Sequence, residues 1–290
     1  MFYKAPTRGA LPIGLAMSLG LLAVLTVILP ETSSGLPAPP AGRHWQLVFD
    51  DEFDGSRLNA DRWVTCYDWY DAAHDGCTNN GNFEQEWYRA SQVSVSNGHA
   101  TLTAQPRPTL GWSGSYEQTY PYISGLISTG RPSYDAAPKW STSYGYMEAR
   151  LKTDGGQGLW PAFWLLPTDH SWPPEIDAME LVGSAPHQLL ATYHWPDAAG
   201  HPQKDATTYS AGDFTAGWHT YAVNWQPGRI DWYADGRHLK TLTGSNVTNK
   251  PMELIINLAV GGTLPGNANA KTHFPARLQI DYVRVYQLTH

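Results

Sequence analysis

"EIDAMEL", residues 175–181, sets three carboxylates, Glu175, Asp177 and Glu180, among Ile176, Ala178, Met179 and Leu181. A strand sends successive side chains to opposite faces, so Glu175 and Asp177 share one face. In a regular strand Glu180 falls on the other face with Ile176 and Ala178. If that face is the core between two sheets, an unpaired ionised carboxylate there is very costly. One extra residue at Ala178 and Met179, a β-bulge, slips the alternation by one. The three acids then share a face while Ile176 and Leu181 share the core, so one irregularity resolves the apolar and acidic patterns together.

The surrounding sequence has the same β character. From Trp45 onward, short alternating or β-branched runs such as "VSVSNGHATLTA", "YGYMEARLKT", "LWPAFWLLP", "HTYAVNWQ" and "LQIDYVRVYQ" are broken by Gly, Pro, Asn and Asp. No stretch keeps a helical period for three turns. The spacing predicts an all-β protein, an antiparallel sandwich or barrel, with "ADG" (residues 234–236) as a hairpin turn between "RIDWY" and "RHLKTL". No repeat or second compositional block appears, which gives one domain over residues 43–290.

Ahead of it, Lys4 and Arg8 precede an uncharged, mostly apolar run from Leu11 to Leu29. Residues 1–35 read as an export signal peptide, with "TSSG" offering small residues for cleavage. The alternative is an uncleaved anchor through residues 11–29, because the run spans roughly 28 Å as a helix. Residues 36–42 form a Pro-rich linker with no core-forming content. The expected location is therefore secreted or extracytoplasmic.

The chain carries a formal charge of −7, and without the export segment it is more acidic still. That argues against nucleic acid or an anionic membrane as partner. Its two cysteines, Cys66 and Cys77, enclose a short loop. In an exported protein a disulfide is expected, worth roughly 3 kcal/mol in the chain-entropy account, with two unpaired thiols as the alternative. Thirteen Trp and sixteen Tyr against seven Phe suit a sandwich core or a sugar-stacking surface equally.

On the bulged strand Glu175 and Glu180 lie about 13 Å apart along the backbone. Twist and inward lean bring their carboxyl groups toward the ~5 to 5.5 Å of a retaining glycosidase. There one carboxylate attacks the anomeric carbon and the other, protonated, serves the leaving oxygen. Asp177 between them helps hold their pKa values apart. A solvated acidic face or a calcium site are the blander readings, though calcium usually takes loop carbonyls. No H-E-x-x-H, G-x-S-x-G or phosphate-loop context is present, which disfavours a zinc hydrolase, a serine esterase and a nucleotide enzyme.

"EIDAME", together with "LVFDDEFDG", "YGYMEARLK", "GLWPAFWLLP", "WHTYAVNWQPGRIDWYADG", "IINLAVGG" and "DYVRVYQ", in that order, resembles glycoside hydrolase family 16, specifically its laminarinase-like members. The resemblance covers most of residues 45–287. It implies a β-jelly roll of concanavalin-like type with a concave sugar cleft and retaining endo-hydrolysis. Glu175 is then the nucleophile, Glu180 the general acid/base and Asp177 an assisting acid. The chain departs from the family where "NNELQYY" is frequent, carrying Glu86 in the usual Gln position, and where "VEW" is common, carrying Asn224 before Trp225. Both departures are expected along the cleft.

Trp160 and Trp164 share a strand face and suit sugar platforms, with core packing as the alternative. Asn82 and Glu84 match vicinal hydroxyls, although Asn82 also suits a turn. Asn257 falls opposite Ile256 and Leu258, in the cleft or satisfying buried backbone. His194 reaches the catalytic face or serves as a structural hydrogen-bonder. The resemblance offers Glu52, the Gly98 carbonyl and Asp281 as ligands of a structural calcium, with no cofactor needed for catalysis. A monomer acting on a polysaccharide is expected, an endo-β-1,3-glucanase that also tolerates mixed β-1,3/1,4 glucan. A related enzyme for β-galactan or agar-type polymers, a transglycosylase, and a non-catalytic carbohydrate-binding module are its rivals.

Overall fold

The computed structural model describes residues 39–289. The export segment, its alternative as an anchor, and the start of the linker lie outside the described residues. Sixteen strands form two sheets. The six-stranded sheet runs in the order β11 (Pro202–Ser210), β10 (Gln188–Pro196), β9 (Glu175–Leu181), β8 (Leu159–Pro167), β15 (Met252–Val260) and β6 (Leu126–Ser128). The ten-stranded sheet runs β14 (Arg237–Thr243), β13 (Arg229–Ala234), β12 (His219–Gln226), β7 (Gly145–Thr153), β16 (Ala276–Leu288), β4 (His99–Trp112), β5 (Glu117–Ser124) and β2 (Glu86–Tyr88). To it β1 (Trp45–Asp51) adds along β16, and β3 (Val93–Ser96) along β4. All pairings are antiparallel except β2 with β5.

The two sheets meet through alternate residues. Phe163 and Leu165 of β8, Leu254, Ile256 and Leu258 of β15, and Leu189, Ala191 and Tyr193 of β10 face Met147, Ala149 and Leu151 of β7, Trp225 of β12 and Trp232 of β13. The residues between them turn to the far side of the six-stranded sheet and build the cleft. The expected Asp235–Gly236 turn joins β13 to β14 with both residues at positive φ (48° and 73°), the backbone of a two-residue hairpin turn. β11, "PQKDATTYS", gives no apolar signal because it is an edge strand; its pairing with β10 rests on backbone hydrogen bonds.

A smaller cluster of Cys66, Tyr67, Cys77, Tyr88, Trp164 and Ile255 packs beside the main core, closed by a Cys66–Cys77 disulfide. The bond fits an oxidising compartment. Among the described residues no helix is long and apolar enough to cross a membrane.

Glu148 of β7 is fully buried, and burial raises its carboxyl to about 7 against the pull of Arg284 and the Tyr146 hydroxyl. A folded-state pKa above the unfolded value means that the folded form binds this proton more tightly. The stabilisation is complete below the unfolded pKa, near 4.5, and is lost as pH rises through about 7. Glu148→Gln is therefore expected to flatten the fall in melting temperature between about pH 5 and pH 8, a difference worth about 3 kcal/mol. Parallel pH-dependent melts of wild type and variant check it; superimposable curves would contradict it.

Candidate active site

β9 pairs with β8 on one side and β10 on the other, and both registers slip at the same place. Glu180 faces Leu190 and Asp177 faces Thr192 across β10, while Met179 faces Phe163 and Asp177 faces Trp164 across β8. The extra residue therefore sits at Ala178–Met179, as the alternation requires. Ala178 and Met179 are both buried, and Glu175, Asp177 and Glu180 all line one cleft of ≈ 870 Å³. A bulge takes backbone groups out of the ladder, and each needs another partner. The Asp177 carbonyl finds one in the facing sheet, where the buried Trp232 indole donates to it at 2.8 Å. This cross-core bond was not readable from sequence, because the pairing of β13 against β9 is a property of the closed sandwich.

Each acid has its own surroundings. Trp172 Nε1 donates to Glu175 Oε2 at 2.9 Å; Trp160 Nε1 donates to Glu180 Oε1 at 3.2 Å, and the Thr192 hydroxyl to Glu180 Oε2 at 3.4 Å. His194 faces Glu175 directly across β10, with Nε2 3.6 Å from Glu175 Oε1 and 3.4 Å from Asp177 Oδ2. Burial pushes all three carboxyls upward, Glu175 and Asp177 most strongly. Asp177 adds to the rise at Glu175 and His194 opposes it; at Asp177 the neighbouring Glu180 adds further. Asp177 and Glu175 also hydrogen-bond each other, which requires a proton on one of them. Three carboxyls crowded into one buried cleft hold their protons more tightly than free carboxylic acids do, the condition for general-acid chemistry.

The remaining predicted residues fall into one connected wall. Trp164 Nε1 donates to Asn257 Oδ1 (2.8 Å), Asn257 Nδ2 to the Tyr88 hydroxyl (2.9 Å), Tyr88 to Glu84 Oε2 (3.1 Å), and Asn82 Nδ2 to Glu84 Oε1 (3.0 Å). Trp160 and Trp164 are each 8% exposed, so they form the cleft floor with their N–H groups spent on Glu180 and Asn257. Among the more open aromatic side chains lining the cleft are Trp172 (55% exposed) and Trp69 (49%). Trp69 stacks on Tyr67 at 4.3 Å and donates to the Thr78 carbonyl, within the disulfide-closed loop region. Neither was singled out from sequence as a site residue, since each lies on a loop with no period to read.

Two expectations need correction. Glu86 is completely buried behind the cleft wall rather than along the cleft. Asn224 lies away from the cleft: it is on β12 of the other sheet, bonded by Gln226 Nε2 at 3.0 Å, and the neighbouring Trp225 is buried in the core. The calcium ligands also fit poorly. Both Glu52 oxygens accept from Arg284 (2.7 and 2.8 Å), and Asp281 Oδ2 accepts from Arg150 (2.7 Å). Carboxylates already neutralised by guanidinium groups are weak calcium donors. Gly98, at φ 76°, serves the turn between β3 and β4. Glu175, Asp177 and His194 form the one group of three candidate metal ligands among the described residues. Their raised carboxyl pKa values disfavour the deprotonated state that an ion needs.

A two-sheet jelly roll with a bulged acidic strand at the base of an aromatic cleft defines the architectural class. Within it, the chain belongs to glycosyl hydrolases family 16, whose profile matches residues 79–284. It is 33% identical over 253 residues to the endo-1,3-1,4-beta-glycanase EglC of Rhizobium meliloti, covering 83% of this chain and 51% of that protein. It is 30% identical to a beta-glucanase of Rhodothermus marinus, covering 91% of this chain and 93% of the relative. The endo-beta-1,3-glucanase structure from Pyrococcus furiosus superposes with a TM-score of 0.70 at 32% identity, over 86% of this chain and 97% of that one. The chain spans about half the length of EglC.

Proposed function

We propose that this chain is an exported, retaining endo-β-glucanase that hydrolyses internal β-1,3 bonds and accepts mixed β-1,3/1,4 glucan. The observation that carries the reading is the bulge at Ala178–Met179, which turns Glu175 and Glu180 onto one face beneath a sugar-sized cleft. In the mechanism Glu175 attacks the anomeric carbon while Glu180 gives its proton to the departing oxygen. Water then hydrolyses the glycosyl-enzyme, with Glu180 taking back a proton. Asp177 assists by taking the proton that it shares with Glu175 as the substrate binds, which leaves Glu175 free to act as the anion. The Trp160 indole and the Thr192 hydroxyl keep the Glu180 carboxyl aimed across the cleft. Every proton in this cycle is carried by these acids and water, so no cofactor enters.

The cleft is lined from Lys204 on β11 to Glu253 and Asn257 on β15. Four inter-strand steps of about 4.8 Å give roughly 19 Å, room for several consecutive pyranose rings and hence for an internal cut. Trp69 and Trp172 supply open indole faces for ring stacking, and Asn82 and Glu84 supply hydroxyl contacts. Residues 1–35 act as the export segment, 36–42 as the linker and 43–290 as the catalytic domain.

Reducing-sugar release on laminarin, barley mixed-linkage glucan, β-1,3-galactan and agarose tests the proposal. Cleavage of the two glucans into oligosaccharides, with the galactans untouched, is the expected result. Cleavage of a galactan alone would replace the substrate. Binding without cleavage of any polymer would make the domain a carbohydrate-binding module.

A further inference from the structure

Behind the cleft wall lies a second pair of acids that the catalytic cycle does not use. Glu86 on β2 is completely buried; its Oε2 accepts from the Val260 backbone N–H at 2.7 Å. Its Oε1 is buried with no donor in reach, while the side chain hydrogen-bonds to Glu84. Two carboxyls can share a hydrogen bond only if one is protonated. The surroundings decide which. Donors converge on Glu84: the Asn82 amide takes one oxygen, and the Trp164–Asn257–Tyr88 relay ends on the other. Glu84 is thereby the anion and Glu86 the acid. Burial raises both, and Glu86 further, with the charge on Glu84 as its next cause. The other titratable groups facing the pair are Tyr67, Tyr88 and Tyr120, each also pushed upward, first by burial. None of these phenols supplies a positive charge to hold Glu86 ionised.

We infer that Glu86 is a positioning residue: as a neutral acid it donates its proton to Glu84 and holds the Glu84 carboxylate at the cleft wall, where it accepts from sugar hydroxyls. This rests on the reading of the cleft as a glucan site. Loss of the Glu86 proton would set two anions against each other in a dry wall, and Glu84 would leave its place. Substrate affinity then falls as pH rises, independently of the catalytic acids on β9.

Glu86→Gln is the discriminating variant. Its amide donates to Glu84 and accepts from Val260, and it does not titrate. Steady-state kinetics on laminarin, carried upward to the pH at which the difference between the melting temperatures of wild type and variant stops growing, should show wild-type KM rising by about tenfold, the loss of one charge-assisted hydrogen bond, while the variant's KM stays level. The split falls on KM rather than kcat. Melting temperatures without substrate form the second arm. The raised pKa makes wild type lose stability with rising pH relative to the variant. Coincident KM profiles would overturn the positioning role even if the melts diverged. Coincident melts would overturn the shared proton. A protein that cut no glucan in either form would sink the substrate reading and the positioning role with it, and the melts would still decide whether the two acids share a proton.

Discussion

Glu175→Ala is expected to lose at least about 10⁴-fold in turnover on a β-1,3-gluco-oligosaccharide bearing an aryl leaving group, since it removes the attacking group outright. Added azide should restore part of that rate, and the stereochemistry of the product reports the role of the missing carboxylate. With the nucleophile gone, azide enters the vacated space and displaces the leaving group once, giving the α-glycosyl azide. Glu180→Ala leaves the first displacement intact for an aryl group that departs without a proton. Azide then intercepts the glycosyl-enzyme, and two inversions give the β-glycosyl azide. Proton NMR of the anomeric hydrogen distinguishes the two. The reverse pairing of variant and product would exchange the roles of Glu175 and Glu180. Burial pushes Glu175 up more strongly than Glu180, so the assignment requires Glu175 to pass its proton to Asp177 before it attacks.

Deleting Met179 should act on stability rather than on the placement of the acids. The registers of β9 against β8 and β10 both slip by one residue at Ala178–Met179. Without the extra residue Asp177, Ala178 and Glu180 follow one another in simple alternation opposite Thr192, Ala191 and Leu190, so Glu180 stays on the cleft face. The loss falls on the core, where removal of the buried Met179 side chain opposite Phe163 leaves a cavity worth about 2–5 kcal/mol. A markedly lower melting temperature is expected, with turnover retained in the folded protein. Met179→Leu keeps the residue count and nearly the side-chain volume, so it should retain most activity at a cost below about 1.5 kcal/mol. Loss of all turnover in a deletion variant that still folds would contradict this reading of the register.

The acids were legible because their spacing conflicts with a regular strand. Glu175, Asp177 and Glu180 can neither alternate nor be buried together, and the one-residue slip that reconciles them is where the structure has it. The hairpin marked by Asp235–Gly236 was readable for a similar reason: both positions of the turn need positive φ. Asn224 was misplaced because adjacency to a familiar Trp says nothing about which sheet a strand joins. Trp69 and Glu86 show the converse. Trp69 is presented to the cleft by a loop tied through Cys66–Cys77 and by Tyr67 beneath it. Glu86 meets Glu84 through β2 and the backbone of Val260. Neither relation has a period.

The sequence by itself determined the β class, the bulge and which acids face the cleft, because side-chain alternation and turn chemistry are local and their violations are costly. Only the tertiary structure decided which donors reach those acids and which protons they keep. The Trp232 bond to the Asp177 carbonyl, the relay ending on Glu84 and the burial that raises every cleft carboxyl join residues far apart in the chain. Desolvation is a property of what covers a group, and the cover arrives only when the two sheets and their loops have closed.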